Sequence, residues 1–330
     1  NANRIRKKDS LKLIKIWSTI GPRATFGMAA LEFSKKYEDL MIVTSDVSTS
    51  AGLDRFRKTY PEKYLDVGIA EQNMIGIAAG LSSEGFKVIT TTFSPFQTAR
   101  CCEQIKVNLG YMKHKVCMVG LASGLVLGTL GYTHCSIEDI GILRSIPSIT
   151  IISPADSLET VKAIEASITH ENSCYIRLTG SSNNPIVYNK DYNFKIGKSV
   201  KLKEGKDISI ICSGAIVSEC LKASEILEKK GISCEVVNMH TIKPVDKQAV
   251  IEATKKKLIV TVEEHNILGG LGSAVAEVKA QIKNSPEQIF IGVNDIYDKG
   301  GEYVFLKEKH GLSSEKIVEN IQQNYNKDVI

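Results

Sequence analysis

A chain of 330 residues is long enough for about two domains of ordinary size, and its 43% hydrophobic, 24% charged and 6% aromatic residues describe a globular protein, neither disordered nor fibrous. No stretch approaches the roughly 20 unbroken apolar residues of a membrane span, and the opening Asn1-Ala2 carries no apolar signal region, which suits a processed end and a cytoplasmic location. The net charge of +5, with a basic excess from Arg4 to Lys15, reads as a solvated terminal segment and not a nucleic-acid arm, and eight scattered cysteines without a C-x-x-C pair indicate neither zinc nor a disulfide framework.

Along the chain, apolar runs rich in Val, Ile and Thr alternate with longer amphipathic segments. "LMIVTS" (40–45), "KVITTTF" (87–93), "KVCMVGL" (115–121), "SITIIS" (148–153) and "CYIRL" (174–178) read as strands separated by helices. Runs this continuously apolar suit strands covered on both faces, so a parallel sheet between two helix layers is expected. From Ser181 to Lys206 the rhythm breaks into a segment dense in Ser, Asn, Lys and Gly, the expected domain linker. Alternation resumes with "ISIICSG" (208–214), a helix through 217–231, "SCEVVNM" (233–239), a helix after Pro244 and "KLIVTVEEH" (257–265). The expected fold is therefore α/β with two three-layer domains, one over 1–190 and a smaller one over 191–330. In the second, "ILGGLGSAVAEV" (267–278) is a glycine turn into a helix; it lacks the G-x-G-x-x-G spacing, so close packing explains the glycines better than a dinucleotide does.

The stretch "YLDVGIAEQNMIGIAAGL" (64–81) places a single acid, Glu71, at the start of a helix that is apolar on nearly every turn. Acids are favoured there by unpaired N–H groups and the helix dipole, so a capping role is open. A catalytic carboxyl is the other reading of the same position.

Four stretches in order, this one with "TTFSPFQTARCCEQI" (91–105), "GTLGYTHCSIEDIGILRSIPSITIISPAD" (128–156) and "VNMHTIKPVD…VTVEEHNILGGLGSAVAE" (237–277), together resemble the C-terminal half of a transketolase. The resemblance implies a thiamine-diphosphate pyrimidine-binding domain followed by a transketolase C-terminal domain. It implies that Glu71 hydrogen-bonds N1′ of the cofactor's aminopyrimidine, favouring the imino tautomer whose 4′ nitrogen deprotonates thiazolium C2. Burial would raise the pKa of such a carboxyl and help it hold the shared proton. By the same resemblance Phe93 and Phe96 surround the pyrimidine, Ile69 touches the cofactor, Asp46 lies near the thiazolium, and His134 positions substrate hydroxyls. Arg23, Ser50 and Arg100 fall at or near substrate-binding positions, with Arg177 a further candidate. Without the family, Phe93 and Phe96 would read as core residues, Asp46 as a strand-end cap and His134 as an ordinary loop histidine.

The departures matter as much. The family's Gly-Asp-Gly motif for diphosphate and metal does not occur in this sequence, which implies a partner subunit carrying that motif and holding Mg²⁺ or Ca²⁺, in an α2β2 assembly; no metal ligand is assigned to this chain. The family loop Gly-Glu-Asp-Gly-Pro-Thr-His reads "GTLGYTH" here, so Leu130 replaces an aspartate, while Ala122 and Gly180 stand where a histidine and an arginine hold a substrate phosphate. A leucine accepts no hydrogen bond from a sugar hydroxyl, so an atypical sugar acceptor is expected. The β chain of a 2-oxo acid dehydrogenase and a non-catalytic half-transketolase are the alternative readings.

Overall fold

The computed structural model describes residues 2–325; the side chains through Leu11, and with them most of the basic stretch that begins at Arg4, lie outside the described residues. The chain opens with a helix, Ala2–Lys36, bent at Gly21 and Pro22, because proline lacks the N–H that would carry the ladder through. Strands β1 (Leu40–Thr44), β2 (Tyr64–Asp66), β3 (Lys87–Phe93), β4 (Val116–Leu121), β5 (Ile149–Ile152) and β6 (Ser173–Arg177) build a first sheet. Strands β7 (Val200–Lys203), β8 (Ile208–Cys212), β9 (Cys234–Asn238), β11 (Leu258–Asn266) and β12 (Glu287–Val293) build a second. With β10 (Thr241–Lys243) added to the first, the orders are β10-β5-β6-β4-β3-β1-β2 and β12-β11-β8-β9-β7.

Every residue of β4, β5, β6, β8 and β9 is buried, which is why those strands carry unbroken apolar runs in place of alternation. On one face of the first sheet, Phe26 and Phe33 of the opening helix, Phe56 of helix Asp54–Thr59 and Ile164 of helix Ser157–Ile168 pack on Ile42, Val119 and Ile176. On the other face, Met74, Ile75 and Ala78 of helix Glu71–Ser83 meet Val43 and Met118. That second cluster continues through Val250 and Leu271 to Ile211 and Ile259 of the second sheet. The two domains therefore share one apolar layer and pack against each other.

Two features were not expected from sequence. Strand β10 (Thr241–Lys243), cut from the second half of the chain, pairs antiparallel with β5 of the first sheet, and β7 runs antiparallel to β9, so neither sheet is wholly parallel. Strand β11 also continues to Asn266, so the glycine turn follows a strand directly. The expected dinucleotide exclusion still has a physical basis: Glu263 accepts from the Leu271 and Gly272 amides at 2.7 and 2.8 Å and fills the start of helix Leu271–Lys279. A Cβ on Gly270 would stand 2.0 Å from that carboxylate, so only glycine lets it in.

Candidate active site

Strands β1 to β4 are parallel, so the loops after Thr44, Asp66, Phe93 and Leu121 all open at one edge of the sheet, the edge where open α/β sheets place their sites. Asp66 ties two of these loops together, accepting from the Asp46 amide at 3.0 Å and the Gly68 amide at 2.9 Å. The Ser45 hydroxyl donates to the Gly68 carbonyl and accepts from the Ala70 amide at 3.1 Å. These bonds fix where helix Glu71–Ser83 begins.

Glu71 is the first residue of that helix, and its side chain is only 4% exposed. Its carboxylate does not cap the helix; it pairs with Arg100, Nη1 to Oε1 at 2.7 Å. The Arg100 guanidinium carbon stands 4.0 Å over the Phe96 ring. Phe96 in turn lies edge-on to Phe93, with ring centres 6.4 Å apart, and edge-on to His134 at 5.3 Å. Glu71, Arg100, Phe93, Phe96 and His134 thus form one cluster, although Arg100 faces the carboxylate and not a separate substrate pocket. Next to it, burial and then the Glu71 charge push the Cys101 thiol up to about 12, so that neighbour stays neutral.

The other expected residues are arranged around this cluster. Ile69, 76% exposed, stands on the loop into Glu71, and Asp46 is exposed with a left-handed backbone, φ 54°, where β1 ends. Arg23 and Ser50 lie on two segments that pack together: the helix after Pro22 crosses the turn through Gly52 so closely that a Cβ on Gly27 would stand 2.1 Å from the Gly52 carbonyl oxygen. Burial lowers the pKa of Arg23, and no carboxylate pairs with it among the described residues. It is a half-buried cation available to an anion.

Arg177 is not available. It is 2% exposed and spends its donors on Asp139 (2.8 Å) and the Ser136 and Glu264 carbonyls (2.9 and 2.8 Å), so it cannot reach a substrate. Sequence reasoning missed the network to which it belongs. Behind the phenylalanines, Ser94 bonds Tyr175, Tyr175 donates to Asp139 at 2.7 Å, and the Ser123 hydroxyl donates to Ser94 at 2.9 Å. These partners are 29 to 81 positions apart in the chain, and no local spacing announces them.

The loop carrying His134 is held from the second domain. The Gly301 amide donates to the Gly128 carbonyl at 2.9 Å, and the Tyr132 hydroxyl bonds His310 Nε2 at 2.9 Å. Leu130 points outward from this loop, 56% exposed. Neither position where the resemblance expects a phosphate-binding side chain has room for one: Ala122 is fully buried, and Gly180, at φ +87°, would bring a Cβ to 2.6 Å from Asn184 Oδ1.

Two family models match nearly the whole chain: the transketolase pyrimidine binding domain over residues 18–184 and the transketolase C-terminal domain over residues 197–317. The chain belongs to the transketolase family. A putative transketolase C-terminal section of Methanocaldococcus jannaschii is 38% identical over 93% of this chain and 97% of its own length. A 6-deoxy-6-sulfo-D-fructose transketolase subunit of a Clostridium species is 37% identical over 90% of this chain and 92% of its own. Among solved structures, a split-gene transketolase described as an inactive β4 tetramer superposes with a TM-score of 0.83 at 34% identity, covering 92% of this chain and 97% of that one. As a transketolase-family protein, this chain is similar throughout to C-terminal-half subunits, and its domains imply the use of thiamine diphosphate.

Proposed function

We propose that this chain is the C-terminal, or β, subunit of a split thiamine-diphosphate-dependent transketolase, which moves a two-carbon ketol unit from a keto donor to an aldehyde or ketone acceptor. The observation that carries the reading is the buried Glu71 carboxylate opening onto a frame of Phe96, Phe93 and His134. A carboxyl otherwise solvated only by a displaceable arginine, beside flat apolar faces, fits an aminopyrimidine. The diphosphate end has no such fit in this chain. The sequence holds no Gly-Asp-Gly, and among the described residues no three His, Cys, Asp or Glu side chains converge on a point that could hold a metal. A partner with that motif would hold Mg²⁺ or Ca²⁺ and the diphosphate, two of each subunit making an α2β2 enzyme.

When bound, the cofactor supplies a carbon nucleophile that accepts the ketol unit and stabilises its charge. Glu71 would hydrogen-bond a ring nitrogen of the pyrimidine, and Phe93, Phe96 and Ile69 would shield that contact from water. His134 would position donor and acceptor hydroxyls, Asp46 would lie toward the thiazolium, and Arg23, which pairs with no carboxylate among the described residues, would receive an anionic end of the sugar with Ser50. Leu130, Ala122 and Gly180 favour an acceptor other than an ordinary pentose phosphate; high efficiency with xylulose 5-phosphate and ribose 5-phosphate would sink that part of the proposal.

The partner has a surface to occupy. The outer side of helix Glu71–Ser83 shows Gly76 and Gly80, where an added Cβ meets nothing within 4 Å, beside exposed Leu65, Ile69, Val107, Tyr111 and Met112. Such a face next to the site is the place for a second subunit to close it. The relative described as an inactive β4 tetramer is what a β subunit without its partner would resemble.

Calorimetry and circular dichroism of thiamine diphosphate with Mg²⁺ test the proposal on this chain alone, on the reconstituted pair, and on the pair with Glu71→Ala. Tight binding only in the pair, with turnover abolished by the substitution, is expected. Absence of binding in every mixture would leave a non-catalytic half-transketolase.

A further inference from the structure

Glu71 and the Phe96 face are the two surfaces that an aminopyrimidine needs, and one side chain covers both. The Arg100 guanidinium bonds the carboxylate at 2.7 Å while its central carbon stands 4.0 Å over the Phe96 ring. A planar heterocycle cannot bond Glu71 and lie against Phe96 while a planar cation does the same. Arg100 is also built to leave. It lies on the turn between the short helices Ser94–Gln97 and Cys102–Gln104. Its backbone is anchored, the amide donating to the Pro95 carbonyl at 3.3 Å and the carbonyl accepting from Gln72 Nε2 at 3.0 Å, while its side chain is 42% exposed. A long side chain on a fixed turn can swing into solvent without moving the phenylalanines. Among the described residues no second cation pairs with Glu71, so the carboxylate's charge is compensated by Arg100 and by nothing else.

We infer that Arg100 is a gate: in the unpartnered chain it closes the pyrimidine pocket by occupying Glu71 and Phe96, and the aminopyrimidine enters only by displacing it. This rests on the assignment of Glu71 to the cofactor made above. The gate keeps the pocket dry and its carboxylate compensated until the partner brings the rest of the site, and it reduces the apparent affinity by the fraction of molecules that are open.

The test uses two probes. The ring without its diphosphate, 4-amino-2-methylpyrimidine, is titrated into the full chain alone, and thiamine diphosphate with Mg²⁺ into the reconstituted pair. Wild type, Arg100→Ala, Arg100→Lys and the distant exposed control Lys283→Ala are compared, with folding checked by far-ultraviolet circular dichroism. Because the displaced ion pair is part-exposed, Arg100→Ala is expected to tighten both probes roughly three- to thirtyfold, with a faster association rate. Arg100→Lys should lie between, keeping the charge but losing the flat stack, and Lys283→Ala should match wild type. Weaker or unchanged binding in Arg100→Ala, with wild-type binding intact, overturns the gate and makes Arg100 a ligand contact. A loaded structure with Arg100 still on Glu71 overturns it as well. A wild-type pair that binds no cofactor overturns the site assignment and the gate together.

Discussion

Replacing Arg177 with methionine separates a structural arginine from a substrate-binding one. The guanidinium is buried against Asp139, itself fully inaccessible, and spans the two domains by donating to the Ser136 and Glu264 carbonyls. Methionine fills much of the volume but leaves a buried carboxylate that accepts from Tyr175 at 2.7 Å and Ser94 at 3.3 Å, with the His265 ring 3.9 Å away. Removing one member of a buried ion pair costs about 3–5 kcal/mol, because the remaining charge is uncompensated. Burial on its own pushes the Asp139 pKa up, but the charges of Arg177 and then His265 reverse this and hold it below its ordinary range. A depressed carboxyl stabilises the fold above its unfolded pKa of about 3.9 and loses that contribution as pH falls through the folded value. In Arg177→Met burial prevails, Asp139 takes up a proton on folding, and stability should fall as pH rises toward neutral, the opposite slope. Urea unfolding from pH 4 to 7.5 reads both the loss and the slope. The double variant Asp139→Asn, Arg177→Met should cost less than Arg177→Met alone, since no lone charge remains. A loss under about 1 kcal/mol at pH 7, or a double variant whose cost is the sum of the two singles, would refute the reasoning. Arg177→Lys, assayed below its melting temperature, should keep the substrate KM, because the side chain does not reach the site.

Three further predictions follow from single positions. Gly76→Leu and Gly80→Leu should leave the melting temperature of the isolated chain within a few degrees, since a Cβ at either position meets nothing within 4 Å, yet weaken assembly with the partner in analytical ultracentrifugation; intact assembly would place the partner elsewhere. His240 is buried against the Phe194 ring at 4.3 Å, and burial lowers its pKa to about 4. The unfolded imidazole protonates near 6.5 and the folded one does not, so stability should fall by about 3 kcal/mol as pH drops from 6.5 to 4; urea midpoints for His240→Gln should lack that part of the decline. Restoring the family arginine by Gly180→Arg should not create a phosphate site, because the positive φ and the contact with Asn184 oppose any side chain; a melting loss of about 1–3 kcal/mol with no gain in phosphate-substrate KM is the expected result.

What the sequence made legible was local. The fully buried strands appeared as apolar runs because both their faces are covered, and β3 was read from Lys87 to Phe93 as it stands. The short edge strands were not legible: β2 is three residues long and largely exposed, and β7, "VKLK", mixes lysines with apolar residues, so neither has a core face to write a pattern. Strand β10 could not be assigned to the first sheet, since its partner β5 lies far earlier in the chain, Thr241 pairing with Ile152. In the candidate site, Glu71 and the two phenylalanines could be singled out from sequence because the stretches that carry them are contiguous. The Arg100 contact to Glu71 spans 29 positions and belongs to side-chain placement.

The division between these two kinds of residue follows the division of labour in the molecule. Behind Phe93 and Phe96, the Ser94–Tyr175–Asp139–Arg177 network is buried, hydrogen-bonded across both domains and anchored to a shared core. In front of them, Glu71 meets a part-exposed arginine, Ile69 stands in solvent, and the helix beyond shows two bare glycines. A site that must exclude water but is open on one side needs a rigid back and an incomplete front. The rigid back can be specified within one chain because its partners all fold together. On the function proposed above, the front accepts a second surface, which suits its long, displaceable or absent side chains. That asymmetry accounts for a carboxylate this buried having so exposed a partner: Arg100 compensates Glu71 in the chain alone, and in the gate inferred above it gives way to the cofactor.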